Sequence, residues 1–208
     1  MKPENVPVFI LAGGFGTRLS EETTVKPKPM VEIGGIPILV HIMRYYYSFG
    51  FRDFVVCAGY KSREIKQYFL NYKYNHSHLV VDAREAGKNA SLLERISGGL
   101  ENWRVFVLDT GANTMTGARV AKALNLVQST LRFSDFALTY GDGLSNLELD
   151  RELSYHLDHG KVGTILGVHP VARFGELSLG AANQVREFKE KPQANQGLIN
   201  GGFFFFKK

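Results

Sequence analysis

The stretch Val8-Phe9-Ile10-Leu11-Ala12-Gly13-Gly14-Phe15-Gly16-Thr17-Arg18-Leu19 decides the fold. Val8 to Leu11 is a short apolar run and predicts a buried strand. The glycines at its exit let the backbone turn sharply and come close to a ligand. A loop of bare N–H groups attracts anions. Thr17 adds a hydroxyl donor and Arg18 a guanidinium suited to phosphate. Just downstream, Lys26-Pro27-Lys28-Pro29-Met30 holds Lys28 between two prolines. Each proline fixes its own φ and restrains the residue before it, so Lys28 is poised on a rigid segment. The whole assembly predicts a cradle for a nucleoside triphosphate.

Other glycine-rich phosphate loops fail on spacing. A dinucleotide fingerprint needs G-x-G-x-x-G, and from Gly14 the third glycine would fall on Leu19. A P-loop needs G-x-x-x-x-G-K-[ST], and neither Gly13 nor Gly14 leads to such a pair. For glycines alone, a plain strand-to-helix turn would be the better reading; Thr17, Arg18 and Lys28 weigh against it.

Outward from this stretch, strand and helix patterns alternate. Helices are predicted over Ile36 to Phe49, from a Ser62 cap to about Tyr72, over Gly117 to Leu131 and over Leu149 to His159. Strands are predicted over Phe54 to Ala58, Leu79 to Val81, Val105 to Leu108, Phe136 to Tyr140 and Val162 to Val168, with short strands to Phe206. This alternation predicts an α/β fold with a Rossmann-like, doubly wound, mostly parallel sheet. Ligands of such folds bind at the carboxyl ends of strands where strand order switches. The loops Gly13 to Arg18 and Gly141 to Gly143 both follow strands, so one rim can hold both.

The chain has 208 residues, 44% hydrophobic and 22% charged, enough for one cored domain. Its formal net charge is +5, spread without a long basic run. There is no zinc-finger spacing or RNA-binding signature, so a phosphorylated small molecule is the expected partner and nucleic acid is not. No stretch is apolar and long enough to span a bilayer, and the polar Met1 to Pro7 does not read as a signal peptide. Cys57, the one cysteine, sits in an apolar run and predicts a buried thiol in a reducing, cytoplasmic setting. The six histidines show no metal-ligand spacing and read as surface or core residues.

The pattern L-A-G-G-x-G-T-R-L followed by P-K-P resembles the sugar-phosphate nucleotidyltransferases. The longer run Ser20 to Gly35 is similar to the glucose-1-phosphate cytidylyltransferase branch, and so is the D-T-G…T-G-x-R pattern of Asp109 to Arg119. The resemblance implies transfer of a cytidylyl group from CTP to α-D-glucose 1-phosphate, releasing pyrophosphate, with Mg²⁺. It implies catalytic roles for Arg18 and Lys28, with Lys26 weaker. It implies nucleotide contacts from Leu11, Ala12, Gly13, Gly14, Phe15, Gly16, Thr17, Thr114, Arg119 and Gly141. Asp142, in Tyr140-Gly141-Asp142-Gly143, takes the metal role. Gly175, Glu190, Lys191 and Asn200 take the sugar-phosphate side. It also implies a homo-oligomer. Read from residues alone, Thr114 or Thr116 would cap the helix that follows, and Asp142 would be a turn former.

One departure concerns the end of the chain. The family carries a second metal-binding aspartate after its N-G-G-F strand, whereas the last aspartate here is Asp158. Residues 1–208 therefore read as a single nucleotidyltransferase domain, C-terminally incomplete; the run Phe203 to Phe206 reads as a buried strand, which loss of a covering segment would leave as an exposed apolar edge. Two alternatives stay open: another triphosphate and sugar, UTP or dTTP among them, or a binding module without turnover.

Overall fold

A computed structural model describes residues 1–14, 26–80, 91–93, 101–170, 176–189 and 197–208. Strand β1 (Val8–Ala12) comes first. The short pair β2 (Glu32–Ile33) and β3 (Ile36–Pro37) leads into helix α1 (Ile38–Ser48) and strand β4 (Asp53–Ala58). Helix α2 (Ser62–Leu70), the single turn α3 (Tyr72–Asn75) and the antiparallel pair β5 (His78–Val80) and β6 (Ser91–Leu93) precede β7 (Arg104–Asp109). Then come α4 (Thr116–Val127), β8 (Asp135–Tyr140), α5 (Leu149–His159) and β9 (Gly163–Val168). The pair β10 (Glu176–Leu179) and β11 (Val185–Lys189) and the long strand β12 (Ile199–Lys207) complete the described chain.

Six strands form one sheet in the order β7-β4-β1-β8-β12-β9. β7, β4, β1 and β8 are mutually parallel, and β12 runs antiparallel between β8 and β9. The chain winds outward from β1 through β4 to β7, then returns to β8 on the other side of β1. The expected doubly wound, mostly parallel sheet is therefore present, with its switch point between β1 and β8.

Both faces of the sheet are covered, which is why its central strands are continuous apolar runs rather than alternating ones. Val8, Ile10, Phe54, Val56, Phe203 and Phe205 pack with Leu39, Ile42, Met43 and Tyr46 of α1 and Leu149 and Leu153 of α5. On the opposite face Phe9, Val55, Cys57, Phe136 and Phe204 meet Ala123 and Val127 of α4. Burial pushes the Cys57 thiol up to about 12, so it is an inert core group.

Several boundaries differ from the sequence expectation for local reasons. Pro37 pairs in β3, so α1 begins at Ile38 rather than Ile36. Ser62 is not the cap of α2: Lys61 holds that place in the left-handed region (φ 54°), and the Ser62 hydroxyl donates to Asp109 Oδ2 at 2.9 Å. The four phenylalanines do not form an exposed edge. β12 is an interior strand, and Phe203, Phe204 and Phe205 are all buried. The pleat sends Phe203 and Phe205 to one core and Phe204 to the other. His156 is a core histidine, as anticipated. Its Nδ1 lies 2.8 Å from Thr164 Oγ1 and its Nε2 3.2 Å from Asp135 Oδ1, which ties α5 to β9 and β8.

Glu152 on α5 is an oddity of this core. It is 9% exposed, and its carboxyl oxygens have no hydrogen-bond partner among the described residues. Burial raises its pKa to about 7. The unfolded chain releases this proton at an ordinary carboxylate pKa, while the folded chain holds it until about pH 7. Stability from this group is thus full below the unfolded pKa and is lost as pH rises through about 7. Glu152→Leu is expected to stabilise the chain at pH 8 by about 2–4 kcal/mol and far less at pH 4.5. Urea unfolding at the two pH values measures this, and an equal effect at both would contradict it.

Candidate active site

At the switch point the carboxyl ends of β1 and β8 lie side by side. Leu11 pairs with Tyr140 in register, and Gly141 N–H donates to Leu11 O at 2.9 Å. The glycine loop after β1 and the Gly141-Asp142 turn after β8 are thereby brought to one rim. A cavity of about 410 Å³ opens there, a size suited to a small-molecule ligand. Its β1 side is lined by Leu11, Ala12, Gly13 and Gly14. Lys28 and Pro29 form one wall, Tyr140, Gly141 and Asp142 another, and Thr114, Met115, Thr116 and Arg119 a third.

Lys28 heads a single 3₁₀ turn, Lys28–Met30, whose Pro29 and Met30 are buried. Pro29 seats this turn directly on Gly141. A Cβ at Gly141 would stand 2.8 Å from Leu11 O and 3.0 Å from Pro29 Cγ, so only glycine fits between them. The packing places Lys28 beside Asp142, and the two side chains form an ion pair. Both are about one-third exposed, so the pair contributes about 0–1 kcal/mol and gives way readily to a stronger ligand. Lys26 is turned elsewhere, to Glu32 at 2.6 Å, and is not part of the cavity.

The segment after β7 is held tightly. Asp109 Oδ1 accepts from Gly111 N–H at 3.0 Å, and this bond, then the Ser62 hydroxyl, lowers its pKa. Thr114 lines the cavity, but its hydroxyl donates to Thr110 O at 2.7 Å and accepts from Lys122 Nζ at 3.1 Å. Neither Thr114 nor Thr116 caps α4. Met115 is the cap residue and no side chain bonds there. Arg119 reaches from α4 under the loop, 5% exposed. Burial pulls its pKa below the ordinary arginine value.

Asn200 reaches the same rim by a different route. The β12–β9 register shifts between Asn200 and Phe204, across Gly201-Gly202, and Gly202 has φ 85°. Asn200 Nδ2 lies 3.3 Å from the hydroxyl of Tyr140, a cavity residue, and its Oδ1 accepts from Gly202 N–H at 2.8 Å. Phe15, Gly16, Thr17, Arg18, Gly175, Glu190 and Lys191 lie outside the described residues.

Sequence reasoning passed over Pro29, Met115, Thr116 and Tyr140 as lining residues, although each sits inside or beside a quoted motif. For a divalent cation the described cavity offers one carboxylate, Asp142. Among the described residues no three His, Cys, Asp or Glu side chains gather as a metal centre. One carboxylate plus substrate phosphate oxygens is a usual Mg²⁺ arrangement, so the donor set fits that ion.

Residues 7–208 match the nucleotidyl transferase family. The chain belongs to this family. It is 46% identical over 195 residues to a glucose-1-phosphate cytidylyltransferase of Salmonella typhimurium, covering 94% of this chain and 72% of that protein. It is 40% identical, with the same coverage, to a probable glucose-1-phosphate cytidylyltransferase of Bacillus subtilis. Among solved structures, HddC from Yersinia pseudotuberculosis superimposes with a TM-score of 0.60 at 25% identity, covering 97% of this chain and 76% of that one. A putative glucose-1-phosphate thymidylyltransferase from Bacillus anthracis shares the fold, with a TM-score of 0.57 at 18% identity over 97% and 71% of the two chains. No helix among the described residues is long and apolar enough to cross a membrane.

Because Gly141 has no room for a side chain, Gly141→Ala is expected to push the Lys28 turn away from β8. Nucleotide affinity should fall at least tenfold while the chain still folds, which calorimetric titration and a thermal melt would record together. Unchanged affinity would show that the Pro29–Gly141 packing does not shape the site.

Proposed function

We propose that this nucleotidyltransferase transfers the cytidylyl group of CTP to α-D-glucose 1-phosphate, giving CDP-glucose and pyrophosphate. The observation that carries the reading is the meeting of Lys28 and Asp142, from two adjoining walls, in the switch-point cavity. It supplies a cation for a triphosphate and a carboxylate for the cation that accompanies it. The choice of base and sugar leans on the two relatives described above. A single buried, unpaired thiol accords with a reducing cytoplasmic setting.

The chemistry needs no covalent intermediate. A phosphate oxygen of the sugar phosphate attacks the α-phosphorus of CTP in line as pyrophosphate departs. Catalysis then consists of holding the two phosphates together and stabilising redistributed charge. Gly13 and Gly14 line the cavity that would take the triphosphate, and backbone N–H groups of such a turn suit phosphate oxygens. Lys28, freed from Asp142, places its ammonium at the α-phosphate. Asp142 would hold Mg²⁺, which when bound neutralises phosphate charge. Arg18 is assigned to the leaving pyrophosphate and Glu190, Lys191, Gly175 and Asn200 to the sugar phosphate. Arg18, Glu190 and Lys191 carry the charges and polar groups those roles need.

The test is pyrophosphate release from CTP, α-D-glucose 1-phosphate and Mg²⁺, with UTP, dTTP, ATP and GTP in parallel. Release specific to CTP is expected, and release with another triphosphate instead would replace the base assignment. Lys28→Ala should lower turnover about 10²–10³-fold, as loss of one transition-state charge donor does. Its melting should stay within about 0.5 kcal/mol of native, because a partly exposed lysine adds little to the core. A variant with native turnover would remove Lys28 from the mechanism.

A further inference from the structure

Asp109 is the last residue of β7 and stands outside the cavity lining. It is exposed, yet both of its carboxylate oxygens are engaged by the chain. Oδ1 accepts from Gly111 N–H at 3.0 Å, and Oδ2 accepts from the Ser62 hydroxyl at 2.9 Å. Water would solvate an exposed carboxylate equally well, so what these two bonds fix is the backbone around it. The first closes an Asx turn over Gly111, whose φ of 95° only glycine adopts easily. The second reaches the first residue of α2, 47 positions away. Ser62 has its hydroxyl to spend on Asp109 because Lys61 is the cap residue and no side chain bonds there.

The turn that Asp109 closes leads directly into the third wall of the cavity. Thr110 is 1% exposed, and its N–H and hydroxyl both donate to Ala58 O, at 2.9 and 2.6 Å. Its carbonyl accepts from the Thr114 hydroxyl at 2.7 Å and from Lys122 Nζ at 3.2 Å. Further along, the Arg119 guanidinium occupies the space that a Cβ at Gly13 or Gly59 would take. The wall is thus tied to β4 and α4 through Thr110, and Asp109 adds the tie to α2. Lys28 and Asp142 are placed by other packing, that of Pro29 on Gly141. The third wall can therefore shift while the charged pair stays where it is.

We propose that Asp109 and Ser62 form a positioning pair that sets the stance of the third wall, and so governs nucleotide affinity while leaving the chemical step alone. The inference rests on the reading of this cavity as the triphosphate site. Neither residue touches the ligand in this account.

The experiment measures the dissociation constant of CTP with Mg²⁺ and the kcat of pyrophosphate release. The proteins are the native chain, Asp109→Ala, Asp109→Asn, Ser62→Ala and the double alanine variant, each with a thermal melt. Asp109→Ala loses both bonds and is expected to bind CTP about tenfold more weakly, with kcat kept. Ser62→Ala loses one bond and should weaken binding about threefold. The double variant should bind no more weakly than Asp109→Ala, because the two residues act through a shared bond. Asp109→Asn should restore affinity, since its amide oxygen accepts from Gly111 and its amide N–H donates to the Ser62 oxygen. Additive losses, or native affinity in Ser62→Ala, would overturn the pairing. An asparagine variant as weak as the alanine one would make the charge itself the active feature, with the same consequence. A lowered melting temperature with native CTP affinity would leave a role in folding only and overturn the proposal. A native chain that neither binds CTP nor releases pyrophosphate would remove the reading of the cavity, and this proposal with it.

Discussion

The site depends on the parallel pairing of β1 with β8 and on the hydrogen bond from Gly141 to Leu11 that extends it past the last paired residue. Two loops that are far apart in sequence become neighbours only because these strands are adjacent. Pro29 then closes on Gly141 at a distance that tolerates no side chain. The position of Lys28 relative to Asp142 is therefore set by the Pro29 ring packing on the Gly141 backbone rather than by the ion pair between them, which is too exposed to hold anything in place. A site of this kind stays shaped when its charges rearrange around a ligand.

Two buried ionisable groups show how differently the fold treats charge. Arg119 is surrounded by carbonyl and hydroxyl oxygens and stays useful as a cation, despite the cost of desolvation. Glu152 is buried with no hydrogen-bond partner among the described residues, so the fold favours its neutral form. The first lies beneath the rim where phosphates are expected and the second lies on the helix after it.

The strand Val8–Ala12 and its glycine exit were legible because a doubly covered strand leaves a continuous apolar run and a tight turn leaves glycines. Lys28 and Asp142 were legible as chemistry, from prolines on one side and a strand end on the other. Their contact was not, because strand order is not written in local pattern. Ser62 was misread as a cap for a related reason. Its hydroxyl has a partner, Asp109, 47 residues away, and a local rule assigns it to its own helix. The phenylalanine run was correctly a strand, but its antiparallel insertion between β8 and β9 depends on tertiary pairing. Gly59 and Gly13 look like ordinary loop glycines until the guanidinium between them is seen.

That antiparallel strand also explains why the core and the site must be solved together. Phe203, Phe204 and Phe205 fill both cores, so the strand's register is fixed by the alternation of its side chains. Continued unbroken, that register would carry β12 straight past the rim. The shift across Gly201-Gly202 breaks it at a point where Gly202 takes a conformation open chiefly to glycine, and Asn200 is thereby brought to Tyr140. A side chain at Gly202 would meet the Tyr140 ring at 2.8 Å, so relaxing the backbone there would move a cavity wall. The glycine pair uncouples the strand that packs the core from the residue that meets Tyr140 at the rim. The same chain can therefore satisfy a rigid hydrophobic register and still bring a polar group to Tyr140 at the cavity rim.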